Sequence, residues 1–180
     1  MSDPIIVMPY DKAWKNEFQV IGGQIRQALG EVAVRIDHIG STSITGLDAK
    51  PIIDIQVSVG SLEPMDCRLG LEALGYTYRV NNPDRTKRYF RESGSMRRTH
   101  IHVREVGSWS EQFALLFRDY LREHPDARRR YAEVKYQLMD QYHNERERYV
   151  EEKGPVIWEI MRKASEWSQQ IGWRPGKSDI

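Results

Sequence analysis

Three stretches of the 180-residue chain carry side chains suited to chemistry. The first runs His38-Ile-Gly-Ser-Thr-Ser-Ile-Thr-Gly-Leu-Asp-Ala-Lys-Pro-Ile-Ile-Asp-Ile-Gln56. Gly40 lets backbone approach a ligand closely, and the amides and hydroxyls of Ser41, Thr42 and Ser43 can converge on an anion, as phosphate-binding nests do. Lys50, just before Pro51, can add a positive charge to such a site. Asp54 and Gln56 sit two apart on an extended segment and so share a face, offering oxygen ligands to a divalent metal. The competing reading is a Ser/Thr-rich loop followed by an Asp that only caps or pairs.

The second stretch is His100-Ile-His102, whose alternation puts both imidazoles on one side of a strand. Two histidines with one aspartate suit a transition metal better than Mg²⁺; alone, the pair is equally a surface hydrogen-bonding feature. The third is the span Arg85 to Arg104, where seven basic residues meet one acidic residue, Glu92. Alternation sends some of these toward a cleft, and Arg88 or Arg98 can then meet a phosphate by charge-assisted hydrogen bonds. A solvated, charged edge hairpin accounts for the same residues. His38 reads as a support beneath the loop; His124 and His143 carry no assigned chemistry.

Elements must bring these stretches together. Trp14, Phe18, Ile21, Ile25 and Leu29 recur at helical spacing between Asp11 and Gly30. Val32, Val34 and Ile36 alternate as a half-buried strand would, and Ile52 to Val59 is strongly β-prone. A helix is expected over residues 64–74, then short strands over 76–80, 87–91 and 97–104, the last two joined as a hairpin around Gly94. From Ser110 onward three amphipathic helices are expected, broken at His124-Pro125 and at Gly154-Pro155, each needing a surface for its apolar stripe.

Composition narrows the function classes. With 39% hydrophobic and 29% charged residues the chain buries a core and is not disordered. A formal net charge of +1 removes any global attraction to nucleic acid or membrane, so nucleic acid is an unlikely partner here. The longest wholly apolar runs, such as residues 5–8, fall far short of a membrane span, and no leader pattern opens the chain. The expectation is a cytoplasmic protein. Cys67, the single cysteine, permits neither an internal disulfide nor a cysteine zinc cluster.

A Gly-Ser turn followed thirteen residues later by Asp54 is similar to the nucleotidyltransferase superfamily pattern. The longer motifs HIGSTSITGLDAKPIIDI, PYDKAW, RTHIHV and FRDYLREHPDARRRYAEVK together resemble the GrpB family over about Pro9 to Trp167. That resemblance implies an α/β (α+β) fold: a nucleotidyltransferase-like mixed sheet flanked by an N-terminal helix and several C-terminal helices. It is read as one domain over residues 1–171, with a core over about 5–105, helices over about 109–171, and a loose tail at 172–180. The implied activity is metal-dependent transfer of a nucleotidyl group from an NTP to an unidentified small acceptor. Its alternative is a catalytically silent nucleotide- or CoA-related binding module, as in fusions with dephospho-CoA kinase. In the enzymatic picture Gly40, Ser41 and Thr42 hold phosphates, Lys50 neutralises their charge, and Asp54 binds the metal. Gln56, His100 and His102 complete the shell around Mg²⁺, Mn²⁺ or a transition ion such as Zn²⁺. The pattern departs from the superfamily at Gln56, which stands where a second carboxylate is expected and brings no charge.

Overall fold

The computed structural model describes residues 4–180. Helix α1 (Ala13–Leu29) is followed by strands β1 (Arg35–Ile39) and β2 (Ile53–Val59), helix α2 (Cys67–Ala73), and strands β3 (Tyr76–Tyr78), β4 (Arg88–Glu92) and β5 (Thr99–Glu105). Four helices complete the chain: α3 (Trp109–Glu123), α4 (Pro125–Gln141), α5 (Arg146–Glu152) and α6 (Gly154–Ile171). The strands form one sheet in the order β1-β2-β5-β4-β3, with β2 and β5 parallel and the other neighbours antiparallel. It is a mixed α+β fold.

Strand alternation divides the sheet chemically. Ile53, Ile55, Val57, Ile101, Val103 and Phe90 point to one face, where the apolar stripe of α1 and the buried Cys67 and Leu71 of α2 cover them. Asp54, Gln56, His100, His102 and Arg104 point to the other. Helix α3 closes part of that polar face, and its Arg118 lies 3.7 Å from buried Asp37. Ile44 and Leu47, just beyond the Gly-Ser turn, pack among apolar residues of α3, α4 and α6, fixing the loop to the helical layer. Ile5 and Val7 likewise pack with Tyr149 of α5.

Two expectations about this frame are corrected. The strand expected from Val32 begins at Arg35, because Gly30, at φ 52°, turns the chain through a short 3₁₀ segment and Arg26 holds the carbonyls of Gly30 and Ala33. Val32 and Val34 are therefore exposed while Ala33 is buried. The tail expected to be loose is stitched to the outer edge of β1. Ile36 N donates to Ser178 Oγ at 2.8 Å, Asp179 N and Ile180 N both donate to Ile36 O, and His38 N donates to Asp179 Oδ2 at 2.9 Å. Gly22 makes room for it, since a Cβ there would stand 2.8 Å from Ile180 Cγ1. The unpaired edge of β1 and an anion partner for Arg118 explain why the segment docks.

Candidate functional site

Gly40 ends β1 at φ 69°, a region that favours glycine, and starts the 3₁₀ turn Ser41–Ser43. Its missing side chain has a second purpose. A Cβ on Gly40 would lie 2.8 Å from Asp54 Oδ2, so the turn and the carboxylate are packed against each other. Thr42 fixes the turn from within: its hydroxyl donates to Ile52 O at 3.0 Å and lies 3.0 Å from His38 Nε2. That hydroxyl is committed to the protein. His38, stacked on Phe18 with ring centroids 4.6 Å apart, is buried, and burial pushes its pKa down to about 3.

Pairing β2 with β5 in parallel sets Asp54 beside His100 and Gln56 beside His102. Asp54 Oδ1 lies 3.2 Å from His102 Nε2 and 3.4 Å from His100 Nδ1. Burial works to raise the Asp54 carboxyl, but hydrogen bonds from His100 and His102 outweigh it and hold it well below the usual carboxylate range. Burial also brings His102 down to about 4, so its ring is neutral at physiological pH, the form that ligates metal. One ligand atom from each of Asp54, His100 and His102 lies within 4.8 Å of the others. Zinc bonds of roughly 2 Å set tetrahedral ligand atoms about 3.3 Å apart, which is the spacing of Asp54 Oδ1 from the two ring nitrogens. The three residues fit a transition ion better than Mg²⁺.

Around this triad a cleft of about 410 Å³ opens, lined by Ser41, Lys50 and Tyr89 and by cations from distant parts of the chain: Lys87, Lys135, Arg146 and Lys153. Lys50 and Lys153 both stand over the ring of buried Tyr149, at 4.8 and 5.0 Å from its centroid. Burial first, then Lys153, lowers both Lys50 and Lys135 to about 7. Lys135 Nζ reaches Ser41 Oγ at 3.1 Å and also bonds Asp48 O. Five basic side chains thus surround one carboxylate, an arrangement suited to an anion, whose approach would favour their charged forms.

Gly40, Ser41, Thr42, Lys50, Asp54, His100 and His102 come together as the sequence motifs imply. Three expected residues do not. Gln56 is corrected as a metal ligand: fully buried beneath α3, it accepts from Arg104 Nη1 at 2.6 Å and donates to Glu111 O at 3.4 Å. Arg88 is corrected as a phosphate contact: opposite Val103 in the register it faces the other side of the sheet, where it pairs with Glu63 at 2.8 Å. Arg98 lies 3.4 Å from Glu92 and lines a neighbouring hollow with Lys50 and Arg146, outside the Asp54 cleft. The cleft instead takes Lys87, a member of the basic span from which Arg88 and Arg98 were expected, together with Tyr89, Lys135, Arg146 and Lys153, to which the sequence assigned no role.

The five-stranded mixed sheet with its flanking helices has a nucleotidyltransferase-like fold. The fold is shared, at a TM-score of 0.50 and 13% identity, with a cytoplasmic RNA terminal U-transferase, covering 72% of this chain and 40% of that one. The model of the GrpB protein family matches residues 4–163, and the chain belongs to that family. The crystal structure of GrpB from Enterococcus faecalis superposes with a TM-score of 0.82 at 33% identity, covering 90% of this chain and 99% of that one. Among curated relatives, UPF0157 protein PA4798 of Pseudomonas aeruginosa is 39% identical over 167 residues, 90% of this chain and 68% of the relative. Dephospho-CoA kinase of Mycobacterium tuberculosis H37Rv is 34% identical over 198 aligned positions, 96% of this chain and 49% of the kinase. The chain therefore spans about half the length of several relatives it matches. No helix among the described residues is long and apolar enough to cross a membrane.

Proposed function

We propose that the Asp54 cleft binds a nucleoside triphosphate and that the protein transfers its nucleotidyl group to a small acceptor with the help of a divalent metal. One observation carries this reading: the Asp54, His100 and His102 set opens into the same cleft as Lys50, Lys87, Lys135, Arg146 and Lys153. In the transfer an acceptor hydroxyl oxygen bonds to the α-phosphorus and gives up its proton to solvent while the bond to the β-phosphate bridge breaks, and pyrophosphate leaves. A divalent metal held by Asp54, His100 and His102 would supply Lewis-acid polarisation of phosphoryl oxygens. The chain supplies the rest. The ammonium groups of Lys50 and Lys135 meet the spreading phosphate charge, and Tyr149 keeps Lys50 and Lys153 on the cleft wall. Ser41 is oriented by Lys135 at the mouth of the turn.

A second reading, a nucleotide-binding module without turnover, draws on Arg104. Its guanidinium occupies the oxygen of Gln56, so a cation stands beside the position where a second carboxylate is expected. Fusion of this module to a kinase in a relative is compatible with either reading. The test is calorimetric titration of each NTP with and without Mn²⁺ or Zn²⁺, on the parent and on Asp54→Asn, followed by assay of pyrophosphate with a small-molecule cell extract as acceptor. Metal-dependent affinity that falls at least tenfold in Asp54→Asn is expected, together with released pyrophosphate. Equal affinity in both proteins overturns the metal role, and binding without pyrophosphate leaves the module reading.

A further inference from the structure

On the reverse side of the Gly-Ser turn lies a chamber of about 500 Å³ that shares with the Asp54 cleft only the residue Thr42. Ser41 lines the cleft; Ser43 and Thr45 line the chamber. Its floor is buried and consists of Phe18, His38, Thr42 and Ser43. Because the Thr42 hydroxyl donates to Ile52 O, it accepts from His38 Nε2, and His38 Nδ1 keeps its lone pair.

The rim brings Lys15, Arg122 and Arg128 against a single carboxylate, Asp179. That carboxylate is already engaged by Arg118 Nη1 at 3.0 Å and by His38 N at 2.9 Å. Arg122 donates through Nε and Nη2 to Ser43 O, at 3.2 and 2.9 Å, and its nearest acidic oxygen, on Asp119, is 3.9 Å away. Arg128 donates to the carbonyls of Leu121 and Arg122. Lys15 has no hydrogen bond or ion pair among the described residues. The two guanidinium groups are therefore held in place by neutral carbonyls, which orient them without cancelling their charge. Preorganised, poorly neutralised cations above a polar buried floor form a receptor for an anion.

We propose that this chamber is a second binding site, separate from the Asp54 cleft, for a small phosphorylated molecule bearing hydroxyl groups. Its phosphate meets Lys15, Arg122 and Arg128, and its hydroxyls meet Thr45, Asp179 and the acceptor nitrogen of His38. A ligand there touches the back of the turn whose front lines the cleft, so the two sites share one wall. The inference stands on the chamber alone and does not need the cleft to be catalytic.

The test uses ribose 5-phosphate, ribose and inorganic phosphate as probes, read by backbone-amide NMR shifts and by calorimetry. Ribose 5-phosphate is expected to bind at least tenfold more tightly than ribose and to shift the amides of Phe18, Ser43 and Thr45 more than those of Asp54 and His100. Lys15→Glu, at an exposed position without a partner, should fold normally and weaken that binding at least tenfold; Lys15→Arg should restore it. Lys87→Ala and Lys153→Ala, both on the cleft, should leave it within twofold. Absence of saturable binding at millimolar concentration overturns the proposal. So does binding that survives Lys15→Glu but is lost in the cleft variants. Phosphate that binds while ribose 5-phosphate does not overturns the ligand class.

Discussion

On one face of the sheet Ile53, Ile55, Val57, Phe90, Ile101 and Val103 exclude water together with α1 and α2; on the other, the alternating positions hold Asp54, Gln56, Ser58, His100, His102 and Arg104. The polar face is itself split. Under α3 charged groups are paired inward, Arg35 to Asp37 at 2.6 Å and Arg104 to Gln56, which offsets part of the cost of burying them. Beyond α3 Asp54 is held by His100 and His102, and the basic side chains around it outnumber it five to one. One face supplies free energy of folding through apolar burial. The open half of the other holds like charges close together, a destabilising arrangement that an anionic ligand relieves.

That contrast can be broken most severely at Phe90. Phe90→Ala should lower the unfolding free energy by about 4 kcal/mol, because it removes a fully buried ring and leaves a cavity, whereas Arg146→Gln, which only thins the basic cluster around Asp54, should stay within about 1 kcal/mol of the parent. Urea unfolding of both variants measures the gap, and similar losses would erase the distinction between the faces.

Acid should act next most strongly, through His38. Its folded pKa of about 3 lies below the ordinary value of 6.5, so the unfolded chain takes up the proton first as pH falls. The stability is then fully present above about 6.5 and declines below it, by about 3 kcal/mol at pH 4. Asp54, also depressed, adds to the loss below the ordinary carboxylate range. Urea midpoints across this interval should drop in the parent and drop less in His38→Gln; parallel slopes would remove His38 from the account.

A smaller effect is expected at Gly40. Gly40→Ala forces a side chain onto Asp54 at a positive φ and should cost about 2 kcal/mol, while weakening metal-dependent nucleotide binding at least tenfold. Unchanged binding in a folded variant would show that the turn and the carboxylate are not interdependent.

The smallest effect has the opposite sign. Lys153→Met should stabilise the fold by about 0.5 kcal/mol by thinning the cation cluster, raise Lys50 and Lys135 from about 7, and weaken phosphate-ester binding in the cleft. Thermal unfolding and pH-dependent binding would check it; a destabilised variant would mean that Lys153 serves packing more than charge.

What could be read from the sequence was local. The Gly-Ser turn, Asp54 and the two histidines are visible because a turn followed by alternation fixes their common side, and α1, α3, α4 and α6 are visible through their apolar stripes. Arg88 and Lys87 could not be told apart as cleft residues, since that depends on how β4 registers against β5. Helix α5 was invisible because only Tyr149 of its seven residues is buried, too few for a periodic stripe. Lys135, Arg146 and Lys153 reach the cleft from helices far along the chain, and tertiary packing alone places them there. The tail was misjudged because Gly172, Pro175 and Gly176 read as flexible while the partners of Ser178 and Asp179 lie 142 and 141 residues earlier.

That long reach bears on the order in which the molecule is made. During synthesis β1 and its neighbour β2 are available well before Ser178, Asp179 and Ile180 emerge, so the outer edge of β1 passes through a period without its cover. Arg118 and the backbone amide of His38 wait over the same interval for the Asp179 carboxylate. The nascent chain is thus most open to wrong strand pairing at β1 until residues 178–180, made some 140 positions later, close that edge.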